Sequence, residues 1–517
     1  MKIAEERRDL GWLRYTLDRP LAPGEATTLT YDLEYPPEGF TNSGARATVV
    51  DNGTFLNSGL LPVLGYQEQA ELTRDLERKK HGLEPKAHLM PDLDDKVHQQ
   101  RNYISADGDW IDFEAVVSTE PDQIALAPGY LQREWTENGR RYFHYKMDVP
   151  ILHFTSFLSA RWAVKKGEWR GESGAVPIEI YYQPGHEYNV DTMITGVKDS
   201  LDYFTRAFSP YQHKQVRILE FPRYASFAQS FPNTIPFSES IGFIAKVKPN
   251  DPKDIDYPYY VTAHEVAHQW WAHQVIGAYV QGATMMSETL AQYSALMVMK
   301  KKYGDAKMKR FLKYELDNYL QGRAIERKQE QPLYRNENQP YIHYRKGSLA
   351  MYALQDYIGE DNVNKALASY IKKVAYKGPP YTTSRDLLAE FRAVTPPEYQ
   401  YLIEDLFETI TIYENRAVSA TYAPKDGKFE VRLKVSAKKL RAKDAGALDE
   451  VKMDDLVDIG VLGPDDKPLY LEKKRVKSGE SEFTIVVNEE PVRAGIDPVV
   501  KLVDRRPDDN TIPVTKQ

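Results

Sequence analysis

Residues 264–268 read His-Glu-Val-Ala-His, within the stretch YVTAHEVAHQWWAHQVIGAYVQGATMMSETLAQY (260–293). On a helix, side chains four residues apart lie on one face, so His264 and His268 can present two imidazole nitrogens to one ion. This spacing is the physical basis of H-E-x-x-H as a zinc motif. Glu265 lies one position round the helix from the first ligand, where its carboxylate can serve as a general base. The stretch therefore predicts a zinc site on a helix.

A third ligand decides the type of zinc site. In the metzincin pattern a glycine and a further histidine would follow His268 by three and six residues, but Trp271 and Gln274 occupy those positions. His273 is one residue off that register, and we interpret it as a residue that caps or packs near the helix end. The remaining option is a carboxylate from the next predicted helix. Glu288 lies there among small and apolar residues, where a metal would satisfy its charge, and it is the predicted third ligand.

The pattern of apolar residues changes twice along the chain. Strand-like alternation dominates the first third, as in TTLTYDLEY (27–35). Apolar residues at helical spacing predict helices over 190–208 and 284–304, with a strand over 216–221 between them. Alternation then returns, with a hairpin predicted around Asp426-Gly427. We predict a multidomain α+β chain with three parts: an N-terminal β-rich domain (1–188), a mainly helical catalytic domain (189–415) and a C-terminal β-sandwich-like domain (416–517).

Composition excludes several classes of protein. The chain has 517 residues, enough for about three domains, and its formal net charge of −7 argues against a nucleic-acid partner. The absence of cysteine excludes disulfides, thiolate nucleophiles and cysteine zinc ligands. The start of the chain has no apolar core of the signal-peptide type, and no stretch approaches the roughly 18 apolar residues of a membrane span. We therefore expect a soluble chain, either cytoplasmic or a soluble segment of a membrane-associated protein.

The segments HEVAHQWWAHQ and SETLAQYSA resemble the signature of the aminopeptidase-N family of zinc peptidases, which also contains leukotriene hydrolase. In that family H-E-x-x-H is followed, after eighteen residues, by a glutamate in an N-E-G-like motif. Here nineteen residues separate His268 from Glu288, and Ser287-Glu288-Thr289 replaces N-E-G. The likeness is strongest to bacterial members attached to ABC-transporter-type membrane segments. The resemblance implies a thermolysin-like catalytic domain and one Zn²⁺ per chain, held by His264, His268 and Glu288.

Two further segments carry the resemblance. YIHYRKGSLAMYAL (341–354) is similar to the family's Y-x-K-G segment, which implies that Tyr344 donates a hydrogen bond to the oxyanion of the tetrahedral intermediate; Tyr341 is the competing candidate. NTIPFSESIGFIA (233–245) occupies the place of the family's G-A-M-E-N-W-G-L-I segment. It implies that Glu239 binds the free α-amine of the substrate. The family strand that pairs with the substrate backbone is altered here, since Pro-Phe-Ser replaces Gly-Ala-Met.

The resemblance implies a zinc-dependent metallopeptidase that acts on peptide substrates, and most directly an aminopeptidase. One alternative is an endopeptidase of the thermolysin type, which the altered 236–240 segment keeps open. Another is a catalytically inert peptide-binding scaffold with the same fold. The sequence leaves open whether the chain forms a homo-oligomer.

Overall fold

The computed structural model describes residues 1–37, 48–105, 107–172, 174–248, 251, 254–442 and 446–517. The chain divides into two compact units, Met1–Ala47 and Thr48–Gln517. In the first unit, β1 (Lys2–Arg7) pairs antiparallel with β2 (Trp12–Thr16). The strand predicted over 27–35 does not form, because these mostly exposed residues have no neighbouring strand among the described residues to complete a ladder. The domain boundaries predicted after residues 188 and 415 lie inside the second unit and stay a prediction.

The second unit begins with small antiparallel sheets. Three of them precede the metal-site motif in the sequence, in the strand orders β3-β10-β6, β4-β9 and β5-β8-β7. A short helix, α1 (Asp75–Lys80), follows β3 and precedes β4 in the sequence. The strands are β3 (Thr54–Asn57), β4 (Trp110–Ile111), β5 (Glu114–Thr119), β6 (Ile124–Leu126), β7 (Tyr130–Glu137), β8 (Arg140–Lys146), β9 (Ile151–Leu152) and β10 (Ser156–Ala160). This region is β-rich, as predicted.

A four-stranded sheet and a group of helices form the middle of the chain. The sheet has the order β11-β12-β13-β14, with β12, β13 and β14 parallel to one another. Its strands are β11 (Ala163–Gly171), β12 (Gly174–Tyr182), β13 (Val216–Phe221) and β14 (Thr234–Ser238). The helices are α2 (Val190–Ala207), α3 (Tyr257–Ala267), α4 (Leu290–Tyr303), α5 (Met308–Ile325), α6 (Gly347–Ile358), α7 (Glu360–Val374), α8 (Ser384–Val394) and α9 (Tyr401–Ile403). The predicted helix over 190–208 and strand over 216–221 are confirmed.

The helix α3 carries the HEVAH motif, with His268 at its C-cap, through the largest apolar core among the described residues. The side chain of Asp256 accepts a hydrogen bond from Tyr259 N, and Pro258 stands in the first turn, so the sequence both caps and starts the helix. From Tyr259 onward the helix is almost entirely buried, and its apolar residues join those of α2, α4 and the sheet in one core. The metal-site motif is therefore held rigidly by packing on both faces.

β14 is an interior strand, although its residues 236–238 occupy the place of the family strand that pairs with the substrate backbone. Its outer side is covered by residues 227–231, here called the edge segment. The two run antiparallel, with hydrogen bonds from Gln229 N to Pro236 O and from Phe231 N to Thr234 O, at 3.0 and 2.9 Å. The free edge of this sheet therefore belongs to the edge segment.

The C-terminal region is a pair of mainly antiparallel sheets that pack face to face. One sheet has the order β17-β16-β15-β23, with β20 paired to β16, and the other has the order β19-β18-β21-β22. Alternate residues of β16 and β18 fill the shared core, as a sandwich requires. Its strands are β15 (Thr411–Lys425), β16 (Lys428–Ala442), β17 (Leu448–Val451), β18 (Asp454–Leu462), β19 (Pro468–Lys477), β20 (Gly479–Val487), β21 (Arg493–Ile496), β22 (Thr511–Pro513) and β23 (Thr515–Lys516).

The predicted hairpin around Asp426-Gly427 joins β15 to β16, with Lys425 opposite Lys428. The fold is thus β-rich, then mainly helical, then a β-sandwich-like region, which confirms the predicted fold class. No helix within the described ranges combines the length and the apolar character needed to cross a membrane.

Candidate metal centre

Three side chains of the HEVAH helix and its neighbour converge on one point. His264 Nε2 and His268 Nε2 lie 3.0 Å apart, and Glu288 Oε2 lies 3.4 and 3.2 Å from them. The two imidazole planes are nearly perpendicular. A tetrahedral ion with bonds of roughly 2.0–2.2 Å separates its ligand atoms by about 3.3 Å, so this donor set fits a zinc ion. We call His264, His268 and Glu288 the first cluster.

The surroundings of the first cluster set its protonation. His268 Nδ1 lies 2.9 Å from the carbonyl oxygen of Trp271, so it carries the proton and leaves Nε2 free to bind a metal. Burial opposes charge on Glu288, but the neighbouring His268 and His264 outweigh it and hold the pKa of this carboxyl well below its usual range. Glu288 Oε2 receives no hydrogen bond within the described part of the chain. An ionised, unsatisfied carboxylate beside two imidazole nitrogens is what a cation site requires.

Glu265 lies beside the first cluster with one oxygen free. It is buried, and its Oε2 has no hydrogen-bond partner among the described residues. Burial raises the pKa of this carboxyl to about 8, with the charge of Glu288 acting in the same direction. A carboxyl group with an open oxygen and a raised pKa can take up and release a proton at neutral pH.

Glu288 lies in a π-helical turn, Met285–Thr289, that leads into α4. A π-turn holds one residue more per hydrogen-bonded ring than an α-turn, and such turns occur often at functional sites. The preceding residue is also held, because Tyr103 donates a hydrogen bond of 2.5 Å from its hydroxyl to Ser287 Oγ. Sequence reasoning missed Tyr103, since a contact across 184 residues leaves no local pattern.

The structure brings Tyr344, and not Tyr341, to the first cluster. The Tyr344 ring centroid is 5.7 Å from that of His264, and its own segment, Tyr341–Lys346, is a second π-turn. Burial and the charge of Glu288 hold the pKa of Tyr344 well above its usual value, so the phenol keeps its proton and remains a donor. Tyr341 instead stacks on Tyr319.

A buried polar network supports the side chains behind the first cluster. Gln292, one turn after Glu288, donates to Tyr260 Oη and to Glu315 Oε1, each at 2.9 Å. Arg345 donates to the fully buried Glu315 at 3.0 Å, and it directly follows Tyr344. The network links α3, α4, α5 and the second π-turn through satisfied hydrogen bonds, which fixes their relative positions around the ligands.

The structure brings Glu239 together with a different set of residues. Glu239 Oε1 accepts a hydrogen bond of 3.2 Å from Arg223 N, and its Oε2 lies 4.0 Å from His186 Nδ1. His186 also contacts the fully buried Glu220. We call His186, Glu220 and Glu239 the second cluster; it too could hold a cation by composition.

Glu239 of the second cluster lies past the C-terminal end of β14, beyond the point where the edge segment meets the helix that carries the metal ligands. The edge segment meets that helix where Ser230 Oγ donates to Glu265 O at 2.9 Å, beside Ile235 of β14. Glu239 follows Ile235 by four residues and stands in the turn after Ser238, the last residue of β14. Among the contacts of the described residues, none joins Glu239 to the first cluster.

Comparisons with known proteins agree with this geometry. The family model for the peptidase family M1 domain matches residues 193–407. Human endoplasmic reticulum aminopeptidase 2 is 23% identical over 212 residues, which are 40% of this chain and 22% of that protein. Probable aminopeptidase 1 of Sulfurisphaera tokodaii is 24% identical over 213 residues, 40% of this chain and 27% of that protein. This chain therefore covers about a quarter of the length of these relatives.

A solved structure shares the fold. The crystal structure of Legionella pneumophila aminopeptidase A in complex with aspartic acid superposes with a TM-score of 0.52 at 16% identity. The match covers 78% of this chain and 44% of that one. Because the helical middle is less than half of the chain, the shared fold extends beyond it.

Two histidines four residues apart on one helix and a glutamate from the next define a metal centre of the gluzincin class. The metal-site helix, Glu288 and Tyr344 all lie within the matched range 193–407. Residues 193–407 match the peptidase family M1 domain, which confirms the resemblance to the aminopeptidase-N family. No comparison bears on the likeness to ABC-transporter-associated members, which stays a prediction.

Proposed function

We propose that the chain is a zinc-dependent peptidase that removes N-terminal residues from peptides. The observation that carries the proposal is the convergence of His264 Nε2, His268 Nε2 and Glu288 Oε2 at 3.0–3.4 Å. A buried carboxyl, Glu265, and a protonated phenol, Tyr344, accompany them. The names of the M1 relatives support peptides as substrates, and the acidic net charge supports the absence of nucleic acid among its partners.

In this proposal each side chain has one task. His264, His268 and Glu288 would hold the zinc, which supplies Lewis-acid polarisation of the scissile carbonyl and acidifies water. Glu265 takes the proton from the attacking water and delivers it to the leaving amine nitrogen. The Tyr344 hydroxyl donates to the oxygen that gains negative charge in the transition state.

The test is a panel of fluorogenic aminoacyl substrates with free amines, assayed with and without a zinc chelator. We expect hydrolysis that the chelator abolishes and added zinc restores. The Glu265→Gln variant should lose about 100- to 10,000-fold in kcat, since it removes the general base, while its zinc content stays at the wild-type level. Hydrolysis by Glu265→Gln at the wild-type rate would contradict the proposal.

An endopeptidase is the second candidate, and the position of Glu239 favours it. The carboxylate that the resemblance assigned to the substrate amine lies in the second cluster, with Arg223 N as its donor. Peptides with free and with N-acetylated termini separate the two activities. Strong preference for the free amine excludes the endopeptidase. A preparation that binds no zinc at neutral pH would instead point to an inert peptide-binding scaffold.

A further inference from the structure

The edge segment, residues 227–231, presents backbone groups on its open side. Its odd-numbered residues pair with β14: Phe227 O accepts from Ser238 N at 3.0 Å, and Gln229 and Phe231 continue the ladder. In an antiparallel ladder the intervening residues direct their N–H and C=O groups the opposite way. Ala228 and Ser230 therefore face the free edge, and Ala228 has no backbone partner within the described ranges.

The open edge runs along the helix that carries the metal ligands. Ser230 Oγ donates to Glu265 O at 2.9 Å and accepts from Gln269 Nε2 at 2.6 Å. The same Gln269 amide donates to Phe231 O at 2.9 Å. An extended peptide that adds to this edge as a further strand lies beside Glu265. In the antiparallel arrangement, the commoner one, its N-terminal end lies at Ser230 and its C-terminal end toward Phe227.

His273 ends this edge at Ser230. Its Nε2 lies 2.9 Å from Ser230 O, so the outward carbonyl at that position is already occupied. The imidazole is only 4% exposed, and its backbone N–H is bonded to His268 O at 3.2 Å. The blocking group is thus fixed to the metal-ligand turn itself.

Space remains beyond the blocked position. A cavity of about 430 Å³ begins at Pro232, directly after the edge segment, and His273 forms part of its wall. Trp110, Ile151 and Leu152 give the cavity an apolar wall, and His213 lies in the same wall. This volume is within the range of cavities that bind small ligands or peptide side chains.

We propose that His273 is a specificity-determining residue that ends the substrate-binding edge on the N-terminal side. This inference rests on the proposed peptidase function. A peptide pairs with Ala228, but its residue opposite Ser230 meets a carbonyl already occupied by His273, and any residue before that one meets the imidazole wall of the cavity. The substrate therefore begins at this position. The hydrogen bond between His273 and Ser230 thus limits how far a bound peptide extends on its N-terminal side. This limit does not require a carboxylate that binds the substrate amine.

The experiment compares kcat/KM for one peptide with a free amine and for its N-acetylated and N-terminally extended forms. In His273→Leu the carbonyl of Ser230 is released while the volume is kept; in His273→Ala the cavity is opened as well. We expect either variant to raise the ratio of blocked or extended to free peptide by about tenfold, the effect of one hydrogen bond. The matched control is His213→Ala, a buried histidine on the same cavity with no bond to the edge, which should leave the ratio unchanged.

Each outcome separates the inference from the proposed function. His273→Asn, which keeps an N–H donor, should restore a ratio close to that of the wild type. Zinc content and thermal unfolding identify the variants that fold. One folded variant, either His273→Leu or His273→Ala, is enough for the test. An unchanged ratio in a folded variant, or an equal change in His213→Ala, overturns the role of His273. Absence of chelator-sensitive cleavage of every peptide by the wild type overturns the proposed function, and with it this inference.

Discussion

The two clusters of histidine and glutamate have similar composition and opposite chemistry. Each brings three potential ligand atoms within 4.8 Å of one another. In the second cluster the carboxylates already have donors: Gln183 N bonds to Glu220 Oε2 at 2.6 Å, and Arg223 N bonds to Glu239. In the first cluster Glu288 Oε2 faces the imidazole nitrogens and receives no hydrogen bond from the described residues. Unsatisfied donor atoms, more than residue types, distinguish a cation site from a structural cluster.

The two clusters also shift the pKa of a buried glutamate in opposite directions. Burial raises the pKa of Glu220 to about 7, against the effect of His186, and the nearby Glu239 adds to the rise. Glu288 has two imidazoles and no second acid in its cluster, and its pKa is held well below the usual range despite burial. One histidine shared by two acids favours a retained proton, whereas two histidines on one acid favour a carboxylate.

The strongest test of this comparison replaces one carboxylate in each cluster by an amide. Glu288→Gln should weaken zinc binding by about 100- to 1,000-fold, because one ligand supplies roughly a quarter of the 10–16 kcal/mol typical of zinc sites. Glu239→Gln should leave zinc binding unchanged. Chelator competition measures both. Equal losses in the two variants would mean that the second cluster also takes part in metal binding.

The next test concerns the phenol beside the first cluster. Tyr344→Phe should lower kcat by about 100-fold with little change in KM or in zinc content, because the hydroxyl acts only on charge that develops in the transition state. Tyr341→Phe is the matched control, since its ring packs on Tyr319. Steady-state kinetics on a free-amine substrate measures the difference. A comparable loss in Tyr341→Phe would show that the effect is not specific to Tyr344 and would contradict its role as the hydrogen-bond donor.

A smaller effect is expected at Tyr103. Tyr103→Phe removes the hydrogen bond to Ser287 and should weaken zinc binding by about tenfold, because an outer residue then no longer fixes the turn that presents Glu288. Ser287→Ala breaks the same bond from the other side. The two variants and their double mutant should therefore lose the same amount, as chelator competition would show. Additive losses would indicate separate roles.

The smallest effect belongs to the second cluster and appears as a pH dependence of stability. The pKa of Glu220 rises from 4.5 to about 7 on folding, so the folded chain holds a proton that the unfolded chain releases in this window. Stability should therefore fall as pH rises from 5 to 7, by on the order of 1–2 kcal/mol. Glu220→Gln should make the fall smaller by this amount, because Glu265, Asp497 and Asp504, whose pKa values burial also raises, keep their own contributions, and the exposed Glu120→Gln should leave the fall unchanged. Denaturant unfolding at several pH values measures it; an unchanged slope in Glu220→Gln contradicts the assignment.

Local patterns predicted the elements of the fold well. Apolar residues at helical spacing identified α2, a short strand-like run identified β13, alternation identified the C-terminal hairpin, and the HEVAH spacing identified α3. These features depend on neighbours in sequence. The edge segment was not predicted, because its partner strand lies after a turn and the segment has no alternating apolar pattern.

The site was predictable to the same extent and for the same reason. The metal-ligand histidines are local to one helix, and Glu288 stands out as an acid among apolar residues. Tyr103 and the network of Gln292 with Glu315 depend on contacts between distant segments and leave no signal in one sequence. The role of Glu239 stays a prediction, because aligned letters do not reveal which segment covers the edge of a sheet.

The π-turn that carries Glu288 has a consequence for insertions and deletions. A helix that can shift between α- and π-type hydrogen bonding takes up or releases one residue while the side chains after it keep their direction. A single-residue change in the loop after His268 can then arise without loss of the third ligand. A search pattern that demands a fixed eighteen-residue interval would pass over this chain, whereas one that allows a variable interval before the glutamate would retain it.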